Sequence, residues 1–434
     1  MRSPVLRKTT LLGTALFTVA GLTLTACGGG SSSSNSTTVT IWSSIDPAVK
    51  AGLQKKLEAE LAAQGSKITI SWQSVQNINQ LIITKMQAGS VPDIAFVPQP
   101  GVVQQMTQVG TVYPMNNVVD MASLQKSMLP GATDFANYNG DIDGLIVSMN
   151  VKGLVFYDKA QWKKAGYKVP KSLPELESLV NQIKASGTAP WCFGINSGAA
   201  TGWPATDWLE TLLLKYSGTS VYNDWVTGKV TFSSPQVLQA ASEFDKLLLT
   251  DGNTYGGRSA IASTNFQTTG NPLVQVPQKC AMYEQGSFAT GFFPANVIKD
   301  IDKNIGVFGL PPATAGGSNP VEVGGDLITM LNNSANTQTV IKLLAGTDIG
   351  NDAGPTSSFI SPHTDFNLKY YPNKITRTMA TIAYKASSTA YDASDQMPAA
   401  VGSGTFWKEM TAWIAGQEDL PTAMKNIDAS FPAS

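Results

Sequence analysis

TVTIWSSIDPAVKAGLQKKLEAELAAQG, residues 38–65, is the stretch that decides the fold. Its opening, residues 38–42, reads as a strand because β-branched side chains suit a pleated surface. Asp46-Pro47 then supplies a helix cap and a proline at the first helical position, where the missing N–H costs nothing. Val49, Leu53, Leu57 and Leu61 recur at four-residue spacing, and Gly65 stands where such a helix stops. Working outward, residues 68–72 read as a strand, 79–88 as a helix and 93–97 as a third strand. Strand, helix, strand, helix, strand predicts a parallel α/β sheet.

The same order recurs downstream. Pro174 opens a helix over residues 174–186 that stops at Gly187, residues 191–195 read as a strand, and another helix begins near Pro204. Ser234-Pro235 caps a further helix carrying Val237, Ala241, Phe244 and Leu248 and ending near Gly252. Between the two α/β units, residues 144–157 form an extended apolar stretch suited to crossing from one lobe to the other. Residues 305–310, ending in Pro311-Pro312, suit a return crossing. Two crossings make both lobes discontinuous: 37–147 with 312–360, and 148–311 with 361–434, around a cleft.

Ahead of this body, Arg2, Arg7 and Lys8 precede an apolar run over residues 11–22, then Leu24-Thr25-Ala26-Cys27. A positive flank, a short apolar core and small residues before a cleavage point make an export signal, residues 1–26. The run is too short to span the ~30 Å of membrane hydrocarbon. Leu-Thr-Ala-Cys resembles the lipobox of bacterial lipoproteins, which implies lipid attachment at Cys27 and a protein held at the extracellular face of the cytoplasmic membrane. Residues 27–36, rich in Gly and Ser with no apolar side chain to bury after Cys27, read as a flexible tether.

Composition narrows the partners. In 434 residues, 30 Lys and Arg balance 31 Asp and Glu, so no net field draws nucleic acid, and none is expected as a partner. Once Cys27 is lipidated, Cys192 and Cys280 remain, in an oxidising compartment; a disulfide between them is expected, with two separate buried thiols as the alternative. His363 is the only histidine and no two cysteines are close in sequence, so neither a metal site nor a cofactor is expected.

The lipobox, the capped first helix, Pro92-Asp93-Ile94, the run 154–158 (LVFYD) and Phe406-Trp407 together resemble extracellular solute-binding proteins of carbohydrate ABC transporters. The likeness spans nearly the whole mature chain. Pro190-Trp191-Cys192, GAATGWPATDW (198–208), Gln285-Gly286-Ser287-Phe288 and MPAAVGSGTFW (397–407) most resemble the branch that binds α-glucosides. The resemblance implies a two-lobe, periplasmic-binding-protein-like α/β fold with hinge strands and a central ligand cleft. It also implies capture of an α-glucoside or other oligosaccharide without chemistry, and delivery to separate permease subunits. No phosphate loop appears in this chain, so the ATPase is another chain as well, and a monomer is expected. Where the family motif has tyrosine or lysine after the first crossing, this chain has Asn150-Val151-Lys152, which leaves the role of Lys152 open.

A sugar presents flat C–H faces and a ring of hydroxyls, so its site needs aromatic platforms and polar acceptors in a concavity. Trp42 and Ser43, at the end of the first strand, offer a stacking face and a hydroxyl; the alternative is packing beneath the first helix. Gln99 offers an amide after the third strand, or belongs to a plain turn. In the 198–208 motif Trp203 stacks and Asp207 accepts from sugar hydroxyls, unless Asp207 complements a helix dipole and Trp203 is core. Glu284 and Gln285 form a polar group close in sequence to Cys280. Gly324-Gly325-Asp326, read as a turn before a strand over 327–331, offers backbone N–H groups and a carboxylate, and Trp407 offers a closing ring.

The rival from another class is a lipid-anchored glycoside hydrolase. It needs two carboxylates about 5 to 9.5 Å apart, for which Asp207 with Glu284 or Asp326 are the candidates, but the chain lacks an eightfold strand-helix repeat. A receptor for peptide or metal lacks the required histidines and cleft charge.

Overall fold

The computed structural model describes residues 37–356 and 358–432. The expected signal peptide, the lipidated Cys27 and the tether lie outside the described residues. Eleven strands are described: β1 Thr38–Ser43, β2 Thr69–Ser74, β3 Ile94–Val97, β4 Ala136–Tyr138, β5 Asp141–Val151, β6 Leu154–Asp158, β7 Ala189–Trp191, β8 Cys280–Gln285, β9 Ile305–Gly309, β10 Val321–Met330 and β11 Thr389–Tyr391. They make two sheets. The first has the order β2-β1-β3-β10-β5-β4, with β11 beside β10; the second has the order β7-β8-β6-β9.

The opening reading holds in atomic detail. The Asp46 side chain accepts from the N–H groups of Ala48 (2.8 Å) and Val49 (3.2 Å), capping the helix Pro47–Ala63. Val49, Leu53, Leu57 and Leu61 are buried on one face of it. Leu53 is fully buried, and truncating such a leucine to alanine costs about 2 to 5 kcal/mol.

The sheet is mixed rather than wholly parallel. β1 runs parallel to β2 and β3, but β10 is antiparallel to both β3 and β5. The cause is the crossover: β10 enters after the chain has left through β5 and β6 and returned through β9, so it meets the first sheet from the opposite direction. The stretch read as one crossing divides into β5 in the first sheet and β6 in the second, with Lys152 and Gly153 between them. β11 comes from the segment expected in the second lobe, yet it pairs with β10 of the first sheet.

Two further expectations change. The strand read over residues 191–195 ends at Trp191; beyond it the chain is irregular, with Cys192 N–H donating to the Met282 carbonyl at 2.8 Å. Gly324, Gly325 and Asp326 lie inside β10 rather than in a turn before it. Gly325 has φ 148°, and a Cβ there would sit 2.1 Å from the Ser148 carbonyl oxygen on β5. Only glycine lets the two strands approach so closely.

Cys192 and Cys280 are disulfide-bonded, tying the segment after β7 to the start of β8. One hydrophobic core surrounds the first sheet and continues into β6, Cys280 and Tyr283. The other gathers around the helix Trp203–Val226, kinked at Gly218, where Trp191, Trp208, Trp225, Phe232, Phe244 and Trp413 pack together. Among the described residues no helix is long and apolar enough to cross a membrane.

Candidate functional site

A cavity of about 250 Å³ opens where the two sheets and the helix Trp203–Val226 meet. Pro98 follows β3, Asn150 and Lys152 end the β5 crossing, and Gly324, Gly325 and Asp326 come from the middle of β10. Phe288 follows β8, Asp392, Ser394 and Asp395 follow β11, and Trp203 and Trp407 each begin a helix. Apart from β10, which contributes its middle, the strands reach the site at or beyond their carboxyl ends, where ligands bind in open α/β sheets.

The aromatic wall is built by close approach. Gly202 has φ 119°, and a Cβ there would lie 2.3 Å from the Trp407 carbonyl oxygen, so glycine brings Trp203 and Trp407 side by side. The Trp203 ring stands edge-on to Phe266 (4.9 Å) and Phe288 (5.9 Å), which hold it in place. The Trp407 indole N–H donates to the Ser394 hydroxyl at 3.2 Å.

Beneath this wall is a buried ionic network. The Lys152 ammonium donates to Asp207 Oδ2 at 2.6 Å and Asp392 Oδ2 at 3.0 Å, and it lies 5.2 Å from the centre of the Trp203 ring. Burial by itself lowers the Lys152 pKa, but Asp207, Asp392 and Glu322 more than offset that and hold it well above the ordinary lysine value. Asp392, although burial raises it, is held below the ordinary value by Lys152. Burial pushes Glu210 and Glu322 well up. Asp326, half-buried in the cavity wall and with no hydrogen-bond or ion-pair partner among the described residues, is pushed by burial up to about 7. An unpartnered acceptor facing a concavity is placed to receive hydroxyl donors from a ligand.

Of the residues singled out in the sequence, Trp203, Gly325, Asp326 and Trp407 line this cavity. Asp207 does not; it lies below, 2% exposed, holding Lys152. It sits in the second turn of its helix rather than the first, and its charge meets Lys152. Gln99 starts the helix Pro100–Val109 rather than a plain turn, and its amide donates to Asp395 Oδ1 at 2.6 Å, so it positions a lining residue. Trp42 packs against the first core, and the buried Ser43 accepts from the Trp72 indole at 2.8 Å. Gln285 is buried, its Oε1 accepting from Gly286 N–H. Glu284 is buried on β8, where burial pushes its pKa well up. Those four residues do not line the cavity.

Sequence reasoning missed Pro98, Asn150, Phe288, Asp392, Ser394 and Asp395 as cavity residues. Phe288 stood in a quoted motif as the aromatic after Ser287. Asp392 carried a local signal as a cap, its side chain accepting from Asp395 N–H at 3.1 Å, but nothing local placed it beside Lys152. A larger cavity of about 660 Å³ is lined by Pro100, Tyr138, Asn223, Thr389 and Phe431 among others. It holds one carboxylate, Asp134, and no cation. The smaller one brings three aromatic rings, three carboxylates and an ammonium together, which is the denser recognition chemistry.

Two sheets flanked by helices, with a polar, aromatic-walled cavity at their junction, define a solute receptor of the two-lobe α/β type. The chain belongs to the bacterial extracellular solute-binding protein family, whose model matches residues 46–346. It is 31% identical over 381 residues to the osmoprotective compounds-binding protein GgtB of Synechocystis sp., covering 87% of this chain and 90% of that protein. It is 32% identical over 370 residues to the alpha-glucosides-binding periplasmic protein AglE of Rhizobium meliloti, covering 83% of this chain and 80% of that one. The solved structure of the bacterial solute receptor AcbH superposes with a TM-score of 0.75 at 17% identity, over 91% of this chain and 98% of that one, which shows the shared fold.

Proposed function

We propose that this protein is the sugar-binding receptor of an ABC transporter, that it takes an α-glucoside or a related oligosaccharide, and that a lipid on Cys27 holds it at the outer face of the cytoplasmic membrane. One observation carries the reading: Trp203, Trp407 and Phe288 share a cavity with Asn150, Asp326 and Asp395. Rings offer platforms for sugar C–H faces, and the amide and carboxylates suit its hydroxyls. Asp207 is committed to an ion pair with Lys152, which argues against a role as general acid in hydrolysis. The relative AglE is named for binding alpha-glucosides and GgtB for osmoprotective compounds, and the first name supports this ligand class. The two sheets belong to two lobes joined through the β5–β6 and β9–β10 connections, and the ligand stabilises the closed arrangement by binding it better. The lobes release the sugar to a separate permease.

The test is a thermal-shift screen of α- and β-linked disaccharides, followed by calorimetry on those that respond. A ligand at 100 times its Kd stabilises the protein by about 2.7 kcal/mol. A response confined to α-glucosides supports the reading. Release of free glucose during the titration overturns it in favour of a hydrolase, and no response to any saccharide removes sugar as the ligand class. Labelling with radioactive palmitate, lost in Cys27→Ala, checks the anchor.

A further inference from the structure

Under the cavity floor, three carboxylates from two elements converge away from the surface. Asp207 and Glu210 sit three residues apart on the helix Trp203–Val226 and so share a face. Asp392 follows β11. One oxygen from each lies within 4.8 Å of the others, and the three residues are 2%, 0% and 3% exposed. Glu322 on β10, 1% exposed, adds a fourth buried carboxylate to the same electrostatic group.

Their protein partners leave the set incomplete. Lys152 reaches Asp207 Oδ2 and Asp392 Oδ2. Asp392 Oδ1 accepts from the Ser394 hydroxyl (2.9 Å) and Asp395 N–H (3.1 Å). Glu210 Oε2 accepts from Ala393 N–H (2.6 Å) and the Tyr222 hydroxyl (3.3 Å), and Glu322 Oε2 accepts from the Thr211 hydroxyl (2.7 Å). Asp207 Oδ1, Glu210 Oε1 and Glu322 Oε1 are buried with no hydrogen-bond partner. Four buried acidic side chains thus have one nearby ammonium among them, and it pairs with only two. The other nearby lysine, Lys215, donates to Asn319 Oδ1 and the Pro320 carbonyl instead. Buried carboxylates require a compensating positive charge, and buried polar atoms require a partner.

We infer that Asp207, Glu210 and Asp392 form a binding site for a hard cation, with calcium the best-matched ion. The donors are all oxygen, which suits calcium or magnesium and not the softer zinc. Calcium–oxygen distances of about 2.3 to 2.6 Å allow ligands up to about 5 Å apart, whereas magnesium at about 2.1 Å holds them within about 4.2 Å. Oxygens within 4.8 Å of one another fall inside calcium's reach, and its flexible coordination tolerates an irregular set of donors. A cation here fastens the helix that carries Trp203 to the segment that carries Ser394 and Asp395, so it rigidifies two walls of the cavity while touching no ligand.

The test uses the full chain stripped with EDTA. Terbium, a luminescent calcium surrogate, is titrated with excitation into the aromatic side chains, since Tyr222 lies against Glu210. Sensitised emission that saturates and is displaced by calcium is expected, together with a melting temperature raised by several degrees when CaCl2 is restored. Glu210→Gln is expected to weaken both responses at least tenfold. Absence of emission and of any calcium effect on melting overturns the proposal. So does stability that tracks pH alone with no response to cations, which means that protons neutralise the cluster. An undiminished response in Glu210→Gln also overturns it. Should that variant not fold, anomalous diffraction from a terbium-soaked crystal of the unaltered protein decides: a peak bridging the three carboxylates supports the site, and peaks only elsewhere refute it.

Discussion

If Asp326 receives sugar hydroxyls, ligand affinity must depend on pH in a way that one substitution removes. Burial places its pKa near 7 in the unliganded protein, so half of the molecules carry a neutral carboxyl at that pH. Hydroxyl donors favour the ionised form and bind it selectively. Below about pH 7, affinity then falls as Asp326 is protonated and levels off about 5- to 15-fold below its plateau near pH 8, because the neutral carboxyl still offers an uncharged acceptor. Asp326→Asn keeps an acceptor of the same shape but loses the charge. A hydrogen bond to a charged group contributes about 1.5 to 3 kcal/mol against about 0.5 to 1.5 for a neutral one. The variant should therefore bind about 5- to 15-fold more weakly at pH 8, with a much flatter profile. Lys152, Asp392 and Asp395 also line the cavity, so the difference between the two profiles, and not either alone, reports on Asp326. Calorimetric titrations of both proteins from pH 5 to 8 measure it. Unliganded stability carries the opposite sign: the folded pKa lies above the ordinary 3.8, so ionisation costs more in the folded state and stability falls as pH rises from about 4 to 7. A wild-type affinity constant across this range, or an identical slope in Asp326→Asn, refutes the reasoning.

Trp203→Ala removes a platform that a ligand covers over roughly 60 to 100 Å², so binding should weaken by about 1.5 to 2.5 kcal/mol while the protein stays folded; unchanged affinity removes this ring from the site. Lys152→Met leaves Asp207 and Asp392 buried without their cation and should destabilise the fold by about 3 to 5 kcal/mol in denaturant unfolding, an outcome sunk by an unchanged midpoint. His363 is buried beside Ser127 (3.1 Å) and Thr347 (3.3 Å), and burial lowers its pKa below 6.5, with Asp365 pulling the other way. Because the unfolded chain takes up this proton first, stability should decline as pH drops through 6.5, and His363→Gln should reduce that decline in melting curves; an equal slope in the variant counts against it.

The elements that were legible in the chain are those governed by neighbours in sequence. Asp46 caps a helix because its acceptor sits two and three residues from the N–H groups it serves, and the stripe from Val49 to Leu61 is buried because helical periodicity puts those side chains on one face. The Cys192–Cys280 bond followed from a count rather than a distance. Trp203 and Trp407, singled out from motifs that carry the family resemblance, both line the cavity. Other features depend on separations that no window spans. Lys152 meets Asp207 across 55 residues and Asp392 across 240, so its role stayed open until the crossing strand and the helix were packed together. Ser43 looked like a free hydroxyl until Trp72, 29 residues on, was seen to occupy it. The oxygen-lined cluster escaped a search for histidine and cysteine spacing because carboxylates become a site only when folding buries them together. The glycines of β10 show the limit from the other side: in sequence they read as a turn, since glycine permits one, but the approach of β5 to within 2.1 Å of a missing Cβ makes them part of a strand. By itself, then, the sequence determined the first helix and its cap, several later helices and most of the strands, because local periodicity and hydrogen bonding set those, while the expected ligand class came from the family resemblance. Strand direction, the partners of Lys152 and the membership of the cavity were decided by tertiary packing, which alone brings distant side chains within hydrogen-bond range and removes water from around them.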